Sequence, residues 1–230
     1  AANDPDKAAS FWASNLDMEE AELRAKITNR NAFADLLRAK LIKRGGIGYR
    51  QPTRATFPLL DTVIGMIQGC RAIPTTTWLD GTNPGEQDPH AQLACLMESG
   101  VRAVNIIPDR NWNIDDADEK ARKVKELNRY AAAAIERGLP VFVGTELNKP
   151  GQRFVDDFNA PALKPLLPTF LEGARVLAGH TRLLRYADFS YTDRAAVDLY
   201  PDPKARNRAF AAVGALPGPD AATREKLRDM

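Results

Sequence analysis

Between residues 72 and 180 the sequence alternates short β-rich runs with amphipathic helical segments. The clearest strand is VRAVNIIP (101–108), and AIPTTTWL (72–79), LPVFVGTE (139–146) and ARVLAGH (174–180) share its apolar character. Helical patterns separate these runs. Strands joined by helical crossovers pair in parallel through right-handed βαβ units. The sequence therefore predicts an α/β fold with four parallel strands.

The residues before this alternation carry helical patterns only. We expect a helical N-terminal segment over residues 1–50 and an α/β barrel-like domain over 51–230, either separate or forming one continuous domain. Four parallel strands are too few to close an eight-stranded barrel. Either the sheet is open, or the chain is a partial or distorted (β/α) barrel that lacks its upstream strands. We expect the second arrangement.

Charge and hydropathy limit the classes of partner. The chain has 32 basic and 30 acidic residues, and a net charge of +2 gives no electrostatic reason to expect nucleic acid. No apolar run approaches the ~20 residues that span a bilayer, and the N-terminus lacks the apolar core of a signal peptide. The two cysteines are expected to be buried, reduced thiols, with a disulfide as the alternative. We predict a cytoplasmic protein with a small-molecule partner, no nucleic acid and no membrane.

Polar residues cluster where each predicted strand ends. They are Asp80 after the first strand, Asp109, Arg110, Asn111 and Trp112 after the second, Glu146 and Asn148 after the third, and His180 and Arg182 after the fourth. Ligands bind at the carboxyl ends of parallel strands, so a shared site is expected there. Turns also favour Asp and Asn, which gives any single residue an ordinary structural explanation.

Two of these residues suit proton transfer or metal binding. Glu146 follows an apolar strand and suits a metal ligand or a general base, with a solvated strand-end carboxylate as the alternative. His180 follows the apolar run VLAG and could bind a metal or exchange protons near neutral pH. A histidine satisfied within the core is the alternative there.

The remaining candidates suit substrate binding. Arg110 could clamp a carboxylate or phosphate, and Trp112 could stack on a sugar or another ring. The alternative is an Asp109–Arg110 pair that orders a tight loop. Substrate contacts are also predicted for Asp80, Asn111, Trp112, Asn148 and Arg182.

The order VRAVNIIPDRN, helix, LPVFVGTELN resembles the polymerase and histidinol phosphatase (PHP) family, an amidohydrolase-like group. WLDGTNPGEQDPHAQLACLMESG is similar to the acidic-Gly turn of that family and its following helix. The resemblance implies a distorted barrel whose divalent metal ions (Mn, Zn or Fe) activate water. By position it implies that Glu146 is a bridging ligand, that His180 is a later histidine ligand and that Asp109 is catalytic. Arg110 stands where the family has histidine, and the opening His-x-His motif is missing.

Three functional hypotheses follow from these residues. The first is the C-terminal portion of a PHP-like metal-dependent hydrolase that acts on a small anionic substrate such as a phosphoester. It has Asp109, Arg110 and Glu146 as catalytic residues and Glu146 and His180 as metal ligands. The second is a non-catalytic or metal-free domain that binds a sugar or sugar acid. The third is a scaffold that assembles as a homo-oligomer or with a missing N-terminal segment.

Overall fold

The computed structural model describes residues 4–147, 152–218 and 220 of the chain. Contacts between residues divide the chain into two compact units, Ala1–Pro58 and Leu59–Met230. The described part of the first unit is built from helices, and the second unit contains the sheet.

The first unit contains helices α1 (Pro5–Leu16), α2 (Glu20–Ile27) and α3 (Arg30–Leu41). Two of them begin at residues whose side chains accept backbone N–H groups of the first turn, namely Asp4 for α1 and Asn29 for α3. Leu23 of α2 is fully buried. These helices lie within the segment for which only helices were predicted.

As far as β3, the second unit alternates strands and helices in the order that the sequence indicates. Its elements are α4 (Leu60–Gly69), β1 (Thr75–Trp78), α5 (Pro89–Glu98), β2 (Ala103–Ile106), α6 (Asp109–Trp112), α7 (Ala117–Glu136), β3 (Val141–Val143), α8 (Leu167–Ala187), α9 (Arg194–Leu199) and α10 (Pro203–Ala215). Single 3₁₀ turns lie at Pro84–Glu86 and Lys164–Leu166.

The three strands are parallel, in the order β1-β2-β3. The register sets Thr77 beside Asn105 and Ile106 beside Val143. Each strand lies within a run predicted from the sequence, so three predicted strands and their parallel pairing are confirmed. Over the described residues the sheet is open, and the fold is mixed α/β with 57% helix. A closed barrel is not formed by this part of the chain.

The fourth predicted strand, residues 174–180, is wrong. These residues lie inside α8, a helix of 21 residues. Its buried residues include Phe170, Gly173, Val176 and His180, which recur every three or four positions and so lie on one helical face. The short apolar run of ARVLAGH fits a strand as well as a helix, and the longer period that begins at Phe170 decides the outcome.

Each face of the sheet carries its own buried cluster, and α8 contributes Phe170 to one and Val176 to the other. Side chains alternate between the faces along each strand. Trp78, Val104, Ile106 and Val141 point to one side and pack in a cluster with residues of α5 and α7. We call this the α7 face. The opposite α8 face carries Thr77, Ala103, Asn105 and Phe142, and its buried cluster includes residues of α8, α9 and α10.

Helices α8 and α10 approach so closely that glycine is required at their crossing. A Cβ atom on Gly179 would lie 1.9 Å from the carbonyl oxygen of Phe210. A Cβ atom on Gly214 would lie 1.8 Å from the carbonyl oxygen of Arg175. Because the opposing atoms belong to helix backbones, neither site can admit a side chain without moving a whole helix.

None of the helices in the described residues combines the length and the hydropathy needed to cross a bilayer. Cys70 and Cys95 are both exposed free thiols, so the prediction that they are buried is wrong. On α5 the buried residues are Pro89 and Leu93. Cys95 follows Leu93 by two positions, which turns it about 200° around the helix, away from the core.

We expect Gly179→Ala to lower the free energy of unfolding by roughly 3 kcal/mol, because the added methyl group must displace the backbone of α10. Gly65→Ala is the matched control, since nothing lies within 4 Å of the position of its Cβ on α4. Replacing that exposed helical glycine should stabilise the protein by about 0.5–1 kcal/mol. Denaturant unfolding of both variants tests the crossing, and equal effects of the two substitutions would contradict it.

Candidate functional site

The three parallel strands end at one edge of the sheet, which we call the carboxyl edge. It is formed by the residues that follow Trp78 of β1, Ile106 of β2 and Val143 of β3. Charged side chains from all three connections meet here. Asp80, Arg110 and Glu146, which the sequence predicted at this edge, are among them.

Asp80 is buried beside a lysine of α7. Its carboxylate lies 3.2 Å from Nζ of Lys123, and both side chains are less than 15% exposed. The backbone N–H and the hydroxyl of Thr82 also donate to Asp80. Burial by itself would raise the pKa of Asp80, but the hydrogen bonds from Thr82 and Lys123 outweigh it and hold the pKa below its ordinary value. Asp80 is therefore a fixed anion at this edge.

Glu86 closes the turn that follows β1. Its buried carboxylate accepts backbone N–H groups from Leu79 (3.1 Å), Asp80 (3.4 Å) and Gly81 (3.1 Å). Gly81 has a φ of 73°, a left-handed conformation that favours glycine. One carboxylate thus satisfies three consecutive donors that the end of the strand would otherwise leave unpaired.

Arg110 and Glu146 join the ends of β2 and β3. Nε and Nη2 of Arg110 both donate to the Glu146 carboxylate, the latter at 3.3 Å. The hydrogen bond with Glu146 raises the pKa of Arg110, and the charges of Asp80 and Glu86 act in the same direction. The side chains of Arg110 and Glu146 are 34% and 24% exposed, so this pair remains accessible to a ligand.

The side chains of Asn111 and Asp109 form hydrogen bonds with other residues of the protein. Nδ2 of the fully buried Asn111 donates to the carbonyl oxygens of Leu79 (3.0 Å) and Ile107 (3.2 Å) and so ties the end of β1 to that of β2. Asp109 accepts a hydrogen bond from Nδ2 of Asn113 at 2.8 Å. The burial of Asn111 does not favour its predicted contact with a substrate, whereas Asp109 is only half-buried.

Trp112 is also occupied by protein contacts. Its indole N–H donates to Asp156 at 2.6 Å, and both residues are buried. Burial raises the pKa of Asp156, although the Trp112 hydrogen bond opposes the shift. The cations of Lys120 and Arg153 lie 5.7 Å and 5.1 Å from the indole centroid. This arrangement does not favour the predicted stacking of Trp112 on a ligand.

His180 does not bond to any of these residues. It sits in α8, where its Nδ1 accepts the backbone N–H of Tyr191 at 3.2 Å. Ser190, next to Tyr191, donates its hydroxyl hydrogen to the carbonyl oxygen of Arg71, just before β1. Its neighbours therefore place His180 toward the amino end of the sheet. The expectation that it shares a rim with Asp80, Asp109 and Glu146 is wrong, because it rested on a strand that is a helix.

Arg182, another predicted substrate contact, is also bonded within the protein. Arg182 donates through Nη1 to the carbonyl oxygens of Val213 (2.9 Å) and Leu216, and so caps the C-terminal end of α10. Asn148 lies outside the described residues.

Sequence reasoning missed Glu86, Lys123 and Asn105 at this edge. Glu86 and Lys123 lie in a turn and on a helix, where charged residues are common, so no local signal distinguished them. Asn105 did carry a signal. It interrupts the apolar run of VRAVNIIP on the central strand, where a parallel sheet normally has apolar side chains on both faces.

A groove of about 580 Å³ lies elsewhere, at the amino end of β3. Its walls are formed by β3, α8 and α10, and its lining includes Arg175, Lys204 and Arg208. These three cations are exposed side chains on the helix surfaces. The carboxyl edge is the better candidate site, because its charged groups are partly buried and are held in place by defined partners.

The metal ligands implied by the PHP resemblance do not form one centre. Glu146 pairs with Arg110 at the carboxyl edge, whereas His180 accepts a backbone N–H near the amino end. Among the described residues, no group of three or more His, Cys, Asp and Glu side chains could hold a metal ion. The arrangement of donors in this part of the chain therefore does not fit the implied metal site.

We expect Glu86→Ala to lower the free energy of unfolding by roughly 3 kcal/mol, because three N–H groups lose a charged acceptor. Asp198→Ala serves as the control, since the Asp198 side chain is 56% exposed and its carboxylate pairs with Arg194 of the same helix. Its loss should change stability by less than about 0.5 kcal/mol. Urea unfolding measures both, and a cost for Glu86→Ala as small as that of the control would contradict the role of this turn.

Stability should also depend on the charge of His180. Burial lowers its pKa below the ordinary value of 6.5, the positive charge of Arg71 adds to this shift, and Asp193 opposes it. The folded state therefore favours neutral His180. Its contribution to stability is complete above pH 6.5 and is lost as the pH falls from 6.5 through the lower folded-state pKa.

Urea unfolding at about pH 7.5 and about pH 5.5 tests this linkage within the range where histidine titrates. We expect the loss of stability at the lower pH to be smaller in His180→Asn. Asparagine can still accept the Tyr191 N–H but does not take up a proton. Equal losses in the variant and the wild type would show that His180 does not carry this pH dependence.

Comparison with family models, with curated proteins and with solved structures found no match to this chain. The resemblance to the PHP family therefore stays a prediction from the sequence.

Proposed function

We propose that the second unit binds a small hydroxylated molecule, a sugar or a sugar acid, at the carboxyl edge without a metal ion. The observation that carries the proposal is the Arg110–Glu146 pair, which is partly exposed and joins the ends of two neighbouring strands. It places a cation and a carboxylate side by side at a fixed position. Such mixed groups on a rigid sheet are typical of sites that orient a polar small molecule.

The hydrogen-bonding capacity of Arg110 supports this proposal. A guanidinium group has five N–H donors, and Glu146 engages donors on Nε and Nη2. Within the described residues Nη1 of Arg110 makes no hydrogen bond. It can therefore donate to a hydroxyl or carboxylate oxygen of a ligand while the ion pair stays intact.

The surrounding charges favour a ligand with many hydroxyl groups and little negative charge. Asp80, Glu86 and Glu146 bring three carboxylates to the edge, and the charges of all three act on Arg110. Carboxylates accept hydrogen bonds from hydroxyl groups but repel phosphate groups that carry two negative charges. A neutral sugar or a molecule with a single carboxylate fits this mixture better than a phosphoester does.

We also retain as proposals the PHP-like hydrolase, the partial barrel, the cytoplasmic location and the homo-oligomer. A PHP-like metal-dependent hydrolase would require metal ligands beyond Glu146 at this edge. The proposal also takes the sheet as part of a partial (β/α) barrel in a cytoplasmic protein, with a small molecule and not nucleic acid as its partner. Homo-oligomer formation belongs to the scaffold hypothesis and is tested by measuring the mass in solution.

We expect millimolar D-glucuronate to raise the melting temperature in the presence of EDTA, because binding to the folded state alone stabilises it. Arg110→Met keeps the aliphatic stem but removes the donors. It should weaken binding by about tenfold or more, as expected for a hydrogen bond to a charged group. Arg194→Met is the control, because Arg194 is 88% exposed on α9 and pairs with Asp198.

The opposite result would support the hydrolase. In that case neither D-glucuronate nor D-glucose would shift the melting temperature in EDTA. Mn²⁺ or Zn²⁺, added without EDTA, would raise the melting temperature instead, and Glu146→Ala would abolish this increase.

A further inference from the structure

Asn105 has an unusual position on the central strand of the sheet. Strand β2 pairs on both sides, and the side chain of Asn105 points to the α8 face. Two residues earlier on the same face, Ala103 is fully buried among residues of α8, α9 and α10. Asn105 is only half-buried. The helices therefore cover β2 more completely at Ala103 than at Asn105.

Asn105 has polar neighbours in Thr77 and the backbone of Gly144, whereas Phe142, its register partner on β3, packs against the helix cluster. Thr77, its partner in the register, is exposed, and its hydroxyl accepts a hydrogen bond from Nδ2 of Asn105 at 3.4 Å. On the other side, a Cβ atom at Gly144 would lie 2.7 Å from Nδ2 of Asn105. The Asn105 amide thus lies between the Thr77 hydroxyl and the backbone of Gly144, just after β3. A side chain at position 144 would collide with the amide in this orientation.

This polar surface continues into the carboxyl edge. Gly144 precedes Glu146 by two residues, and two residues of chain span at most about 7 Å. Glu146 in turn holds Arg110. The chain from Gly144 to Glu146 therefore connects this surface to the Arg110–Glu146 pair.

We propose that Thr77, Asn105 and Gly144 form the floor of the ligand site and bind neighbouring hydroxyl groups of a sugar. This inference rests on the proposed function and specifies how its ligand is recognised. With respect to the described residues, the Asn105 amide retains an N–H donor and its oxygen acceptor, and the Thr77 hydroxyl can still donate its own hydrogen. Arg110 then holds the carboxylate of a sugar acid or a further hydroxyl group.

Gly144→Ala gives a sharp test, because its methyl group collides with the movable end of the Asn105 side chain and not with backbone. The amide must turn away, so binding should weaken about fivefold while the melting temperature changes little. Thr77→Val and Asn105→Ala should each weaken D-glucuronate binding by roughly five- to tenfold, the effect of losing a neutral hydrogen bond. Isothermal titration calorimetry measures all three variants.

Thr75→Val is the matched control. Thr75 lies on the same strand and the same face as Thr77 but two residues toward the amino end, and its hydroxyl donates to the carbonyl oxygen of Ile73. The affinity of the Thr75→Val variant for D-glucuronate should equal that of the wild type. D-Glucose, which lacks the carboxylate, should show the same losses in Thr77→Val and Asn105→Ala.

The outcomes separate this inference from the proposed function. If the wild type binds and Arg110→Met weakens binding, but the three floor variants keep their affinity within twofold, the floor is overturned and the proposed function stands. If the wild type binds neither D-glucuronate nor D-glucose, both proposals fail together.

Discussion

The parallel pairing of β2 with both β1 and β3 is the constraint on which the candidate site depends. Because the three strands run in one direction, the chain turns at the same edge after each of them, and residues distant in sequence meet there. The turn after β1 is held by the Glu86 carboxylate, and the ends of β2 and β3 are joined by Arg110 and Glu146. Antiparallel pairing of any strand would send its turn to the opposite edge.

The Arg110–Glu146 pair contributes more to position than to stability. Its side chains are 34% and 24% exposed, and ion pairs of this kind contribute about 0–1 kcal/mol. The buried contacts of the α7 face, such as the stacking of Trp78 on Tyr130 at 4.7 Å, are the stronger source of stability. The ion pair instead restricts Arg110 to one orientation, which reduces the entropy that a ligand must overcome on binding.

The sequence predicted the elements whose signals are local. Runs such as VRAVNIIP identify a strand by themselves, and Asp80, Arg110 and Glu146 follow such runs directly. His180 was misplaced because a short apolar run fits a strand or a helix equally, and the longer apolar period that begins at Phe170 assigns the run to α8. The roles of Glu86 and Lys123 depend on which backbone groups and carboxylates the fold brings near them, and no periodicity in the sequence contains that information.

The two ends of the sheet differ in how completely their polar groups are satisfied. Near the amino end, His180, Ser190, Arg71 and Asp193 bond to one another or to backbone, so little capacity remains for a ligand. At the carboxyl edge, Arg110 and Asn105 are partly exposed and retain donors that no described residue engages. Binding requires directional groups that are fixed by the protein but not used up by it. This difference, more than the number of charges, favours the carboxyl edge as the candidate site. His180 lies at the satisfied end, so it does not join Glu146 in the arrangement that the PHP resemblance implies.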